Sequence, residues 1–135
     1  MRNPDLAADY LRRSVARLAA IDVLFDAESW PDVVREAQEV VELALKGCLR
    51  HFGIEPPRIH DVSEVLLSER GRLPASLQAE ATRLATISKS LRRDRELAFY
   101  GAEDLTPTDF YARSDAEAAR DGARHVVRVV AESLA

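Results

Sequence analysis

The stretch "DVVREAQEVVELALKGCLRHFG", residues 32–53, constrains this chain more than any other. Val33, Ala37, Val40, Val41, Ala44, Cys48 and Phe52 recur at three- and four-residue steps and form a wide apolar stripe. Arg35, Glu39, Glu42, Lys46 and Arg50 occupy the opposite side at the same spacing. An α-helix turns every 3.6 residues, so this pattern is two-faced only as a helix, and such a helix must bury its stripe against others. Gly53, then Pro56 and Pro57, ends it.

The same period governs the rest of the chain, and no convincing alternating strand appears. In "NPDLAADYLRRSVARLAAIDVLFDA" Leu11, Val15, Leu18, Ile21 and Phe25 share the face expected to be buried, with Asn3 and Pro4 as the start. Ser29 with Asp32 three residues on resembles a capping box that opens the second helix. Asp61 and Glu64 cap a short helix, "DVSEVLLSER", that ends at Gly71. A fourth helix follows Pro74 and runs to about Tyr100, with Leu77, Ala81, Leu84, Ile87 and Leu91 inward. A loop holding Pro107 leads to a last helix, for which Ser114 and Glu117 form a capping box and Ala119, Ala123, Val126 and Val130 the inner face. Four long helices and one short one predict an all-α fold, an antiparallel up-and-down four-helix bundle with an additional short helix. No linker, repeat or low-complexity segment divides residues 1–135, so one domain is expected.

Composition narrows function mainly by exclusion. Nineteen Lys and Arg against 23 Asp and Glu give a net charge of −4, which argues against non-specific coating of nucleic acid. A phosphate contact must then come from a local patch. The single cysteine, Cys48, rules out an internal disulfide and suits a reducing cytosol. No run approaches the roughly 18 apolar residues of a membrane span, and a cytoplasmic protein is expected. His51, His60 and His125 lie far apart and form no metal-binding spacing, so neither metal nor cofactor is implied. Cys48 reads as inert core, and His60 before Asp61 as a capping or loop-anchoring group. No nucleophile elbow, phosphate-cradling glycine loop or carboxylate pair is present.

The local patch is "SLRRDRELAFYG", residues 90–101. The inward stripe of the fourth helix continues past Leu91 onto Arg95 and Ala98. A guanidinium on an apolar face must pair, snorkel, or face a cleft or partner. Lys89, Arg92 and Arg93 concentrate further positive charge there, where it also complements the helix dipole. Arg95 can be a structural ion pair with Asp94, Glu96 or an acid of another helix, and Arg92–Glu96 a solvated i,i+4 pair. Alternatively Lys89, Arg92, Arg93 and Arg95 bind a nucleotide or RNA phosphate, with the Tyr100 hydroxyl and ring beside them.

Three segments resemble the HEPN domain family (higher eukaryotes and prokaryotes nucleotide-binding). They are "AQEVVELALKGCLRHFGIEPPRIHDVSEVL", "LRRDRELAFYG" and "DFYARSDAEAARDGARHVVRVV". The resemblance implies a four-helix core with an extra short helix, commonly dimeric, often paired with a minimal nucleotidyltransferase in a toxin–antitoxin arrangement. It also implies metal-independent RNA cleavage in members that carry an arginine, four to six residues, then a histidine. Arg95 matches that arginine, but Tyr100 stands where the histidine would fall. A phenol with an ordinary pKa near 10 is a poor base at neutral pH. The expected protein is therefore a homodimeric nucleotide- or RNA-associated partner of a nucleotidyltransferase. An endoribonuclease using Arg95 and Tyr100 is the first alternative, and a ligand-free dimerisation scaffold the second.

Overall fold

The computed structural model describes residues 4–58, 61–100 and 106–135, with the backbone alone at residues 4 and 93–100. Its elements are α1 (Pro4–Asp26), α2 (Trp30–His51), α3 (Val62–Ser68), a 3₁₀ turn (Arg70–Arg72), α4 (Ala75–Tyr100), α5 (Pro107–Phe110) and α6 (Arg113–Leu134). All are helical, as the periodicity predicts. The expected short helix closes early, at Ser68, and its remainder tightens into the 3₁₀ turn. Pro107, expected in a loop, instead opens the single turn α5, with Thr106 Oγ1 accepting from the Asp109 N–H.

The four long helices form a flattened bundle. Helices α2 and α6 pack tightly across the middle, α1 flanks both on one side and α4 on the other, and the described α1 and α4 backbones stay apart. Close approach follows from small side chains: α6 turns Ala116, Ala119 and Ala123 into the core, and α2 turns in Ala37, Ala44 and Gly47. Gly47 lets α1 press directly on α2, for a Cβ there would stand 3.0 Å from Tyr10 Cβ and 3.3 Å from the Ala7 carbonyl oxygen. Helix α2 is consequently the central element. From Val33 to His51 none of its residues is fully exposed, and the stripe Val33, Ala37, Val40, Val41, Ala44 and Cys48 is completely buried.

Three expectations need correction. On α1 the buried line is Ala7, Ser14, Ile21 and Phe25, whereas Val15, expected inward, is 51% exposed. The seam with α2 selects small groups, and buried Ser14 satisfies its hydroxyl by donating to the Tyr10 carbonyl at 2.8 Å. At α6 the cap lies two residues earlier than Ser114: the helix starts at Arg113, and Asp115 Oδ2 accepts from the Ala112 N–H at 2.8 Å. Alanine has no side-chain acceptor to return that bond, so only half of the box exists. At α2, Ser29 is the N-cap as expected, yet its hydroxyl meets Asp32 Oδ2 at 2.5 Å and not a backbone N–H. Asp61 caps α3 by accepting from the Ser63 N–H at 3.0 Å, and His60 lies outside the described residues.

Candidate functional site

Helix α4 runs on to Tyr100 and has no basic residue in its last turn, so Lys89, Arg92, Arg93 and Arg95 lie before the helix end and, contrary to expectation, do not complement its dipole. Ala81 and Leu84 are fully buried, Leu91 nearly so, and Ile87 packs partly buried on the core, so the inward stripe holds up to the arginines. Lys89 is exposed. Arg92 crosses to the central helix, its guanidinium 3.5 Å from Glu42 Oε1. Arg93, Arg95 and Tyr100 belong to α4 by their backbone, and their side chains lie outside the described residues. Arg95 follows Arg92 by nearly one helical turn.

Glu42 organises this part of the molecule. Its Oε2 accepts from Gln38 Nε2 at 2.7 Å, and Lys46 Nζ lies 3.5 Å from Oε1. Gln38 is 3% exposed, and its own Oε1 has no partner. The polar side of α2 is thus a half-buried floor between α1 and α4, not the solvated face that spacing alone suggests. On the α1 wall, Arg17 Nε donates to Glu36 at 2.7 Å, a bond that raises the guanidinium pKa further against the effect of burial. Tyr10, Arg13 and Arg50 close the far end of this trough.

A cleft of about 380 Å³ opens beside Thr86, Ile87, Ser90 and Leu91 of α4, between that helix and α6. Its lining mixes hydroxyls of Thr86 and Ser90 with apolar Ile87, Leu91 and Val34, and Tyr111 and Asp115 close one end. The opening exists because α6 presents Ala118, Ala119 and Gly122 here. A Cβ on Gly122 would meet Ile87 Cγ2 at 3.1 Å.

His125 is a buried polar group that residue spacing did not flag. Arg128 donates to its Nδ1 at 2.9 Å, because a guanidinium only donates, and this leaves Nε2–H facing Glu80 Oε2 at 2.9 Å. The signal was present as the i,i+3 pair His125 and Arg128, but its third member sits on α4, 45 residues away. Both ring nitrogens are engaged. Glu80 and Arg95 are fifteen positions apart on one helix, a separation of about 22 Å at 1.5 Å per residue. Within one chain His125 is therefore too distant to serve as the base beside Arg95.

Cys48 is fully buried, and desolvation pushes its thiol from 9.0 up to about 12. A raised thiol pKa means that the fold favours the neutral form. That contribution is complete below the ordinary value and is lost as pH rises from about 9 toward 12. We expect no reaction of native protein with a thiol reagent at pH 8 and full reaction after denaturation. Prompt labelling of the native protein would contradict this placement.

Among the described residues no helix is long and apolar enough to cross a membrane, and no three His, Cys, Asp or Glu side chains converge as metal ligands. A family model described as HEPN domain matches residues 7–134. No curated protein and no solved structure matches the chain.

Proposed function

Because this chain belongs to the HEPN domain family, helical proteins associated with nucleotides and RNA and commonly dimeric, we propose that it is the homodimeric partner of a minimal nucleotidyltransferase. It would act in the cytoplasm, as one domain over residues 1–135, within a two-component system of the toxin–antitoxin kind. The end of α4 is its anion-recognising surface: Arg95 is the principal phosphate ligand, assisted by Lys89, Arg92 and Arg93, with Tyr100 beside them. The observation that carries this reading is the family match, which spans nearly the whole chain. The cleft between α4 and α6 supports it, because its mixed lining lies within one turn of the cationic cluster.

Binding, and not catalysis, is the better-supported role. The histidine of the cleaving pattern is replaced by Tyr100, and His125 is committed to Glu80 and Arg128 far along α4. A guanidinium alone holds a phosphate but does not accept the proton that RNA cleavage must remove.

The test combines co-elution with nucleotide binding. Mixed with a nucleotidyltransferase encoded beside it, the protein should co-elute on size exclusion. ATP binding by the purified protein should weaken at least about tenfold in Arg95→Ala, the loss of one charge-assisted contact. No co-elution together with unchanged ATP binding overturns the proposal. Growth arrest on controlled expression, relieved by Arg95→Ala, would establish the endoribonuclease instead. Indifference in every assay would leave the scaffold.

A further inference from the structure

Among the described residues at least seven arginines meet a carboxylate, while Arg58, Arg70, Arg83 and Arg128 meet none. Of the former, Arg12 meets Asp9 at 2.6 Å, Arg17 meets Glu36, Arg92 meets Glu42, Arg113 meets Glu117, Arg120 meets Asp121 and Arg124 meets Asp22. Arg13 and Arg50 likewise meet none among the described residues, yet both converge on one aromatic ring, each Cζ lying 5.9 Å from the Tyr10 centroid. Two like charges brought to one ring repel, and cation–π attraction at this distance offsets only part of that.

Arg50 adds a second observation. Its Nε is buried and has no acceptor. A buried donor left unpaired is costly, and such atoms are few in folded proteins. The position of Arg50 in the last turn of α2 complements the helix dipole, but this does not apply to Arg13 on α1. The seat is also rigid. Gly47 brings α2 against the Tyr10 Cβ, so the base of the ring on which the two cations converge is fixed by the packing of the two helices.

We propose that Arg13 and Arg50, held against Tyr10 at the α1–α2 end of the trough, form a binding site for a phosphate group. A phosphate supplies negative charge to both guanidinium groups and has oxygens enough to accept from their terminal N–H groups, while the buried Nε fixes the Arg50 stem in place. Lys46, one turn before Arg50 and already 3.5 Å from Glu42, extends the positive field along the floor. The site is distinct from the end of α4. Along α2, Arg50 lies eight positions from Glu42, where Arg92 docks, a distance of about 12 Å. The phosphate belongs either to a free oligophosphate or to the backbone of a single-stranded RNA.

The test is made in the Arg95→Ala background, which lacks the principal ligand proposed on α4, and every variant is compared with that parent, so that failure of the earlier proposal does not affect the result. Pyrophosphate binding is followed by titration calorimetry, and a short fluorescein-labelled single-stranded oligoribonucleotide by anisotropy. Arg13→Gln and Arg50→Gln should each weaken pyrophosphate about tenfold or more. Because Arg13 is exposed, Arg13→Gln should leave the melting temperature unchanged, which separates lost binding from lost fold. Arg83→Gln, an exposed position on α4 outside both surfaces, should bind as the parent does. If the oligoribonucleotide weakens in parallel, with its log–log salt slope falling by about one, the phosphate is that of RNA. If only pyrophosphate weakens, it is that of a free compound. Absence of saturable binding to both probes, or parental affinity in both glutamine variants, overturns the site.

Discussion

Replacing Gly47 by valine is expected to lower the melting temperature by roughly 10 °C, a loss of about 3 kcal/mol for a domain of this size. The cause is local and backbone-deep. A Cβ at position 47 would stand 3.0 Å from Tyr10 Cβ and 3.3 Å from the Ala7 carbonyl oxygen, and neither atom can rotate away. Valine adds two methyl groups to that collision, so α1 must move off α2. Gly47→Ala meets the same contacts with one carbon only and gains about 1 kcal/mol of helix propensity, so its loss should be small. Gly71→Ala is the control: a Cβ there meets nothing within 4 Å, and stability should stay within about 0.5 kcal/mol. Thermal unfolding followed by circular dichroism separates the three. Valine tolerated at position 47 would show that α1 is not seated as described, and the rigid Tyr10 on which Arg13 and Arg50 converge would be lost with it.

That seam also explains what the amino-acid pattern could and could not reveal. The stripe of α2 was legible because it is made of large and medium apolar groups at strict helical spacing, and Val33, Val40, Val41 and Ala44 are indeed core. On α1 Ile21 and Phe25 were legible as core, but Ala7 and Ser14 were not, because a hydropathy-based reading passes over such small residues in favour of Val15. Small residues mark close helix approach, and closeness is a property of the pair, not of one helix. The same limit applies to the polar side of α2. Its spacing gave the face correctly, but only the flanking positions of α1 and α4 make that face a half-buried floor. The arginine cluster of α4 was visible as charge. Its pairing of Arg92 with Glu42 was not, since that carboxylate comes from 50 residues earlier.

Glu42→Ala is expected to cost about 2 kcal/mol, far more than an ordinary surface carboxylate. Glu42 is 18% exposed on its side chain and serves three neighbours: Gln38 at 2.7 Å, Lys46 at 3.5 Å and Arg92 at 3.5 Å. The pairs with Lys46 and Arg92 contribute modestly, because the Arg92 side chain is 38% exposed and water screens it. Most of the loss comes from Gln38. Its Oε1 already lacks a partner, and removing Glu42 strands the Nε2–H₂ as well, leaving a whole amide buried without a bond. It follows that Gln38→Met combined with Glu42→Met should be less damaging than Glu42→Ala alone, since no polar group is then left behind while Lys46 and Arg92 turn to solvent. Urea midpoints of the single and double variants decide the matter. If Glu42→Ala shifts the midpoint by less than the equivalent of about 0.5 kcal/mol, the floor is solvated. Arg92, whose partly exposed guanidinium assists the anion surface, would then do so without restraint from Glu42.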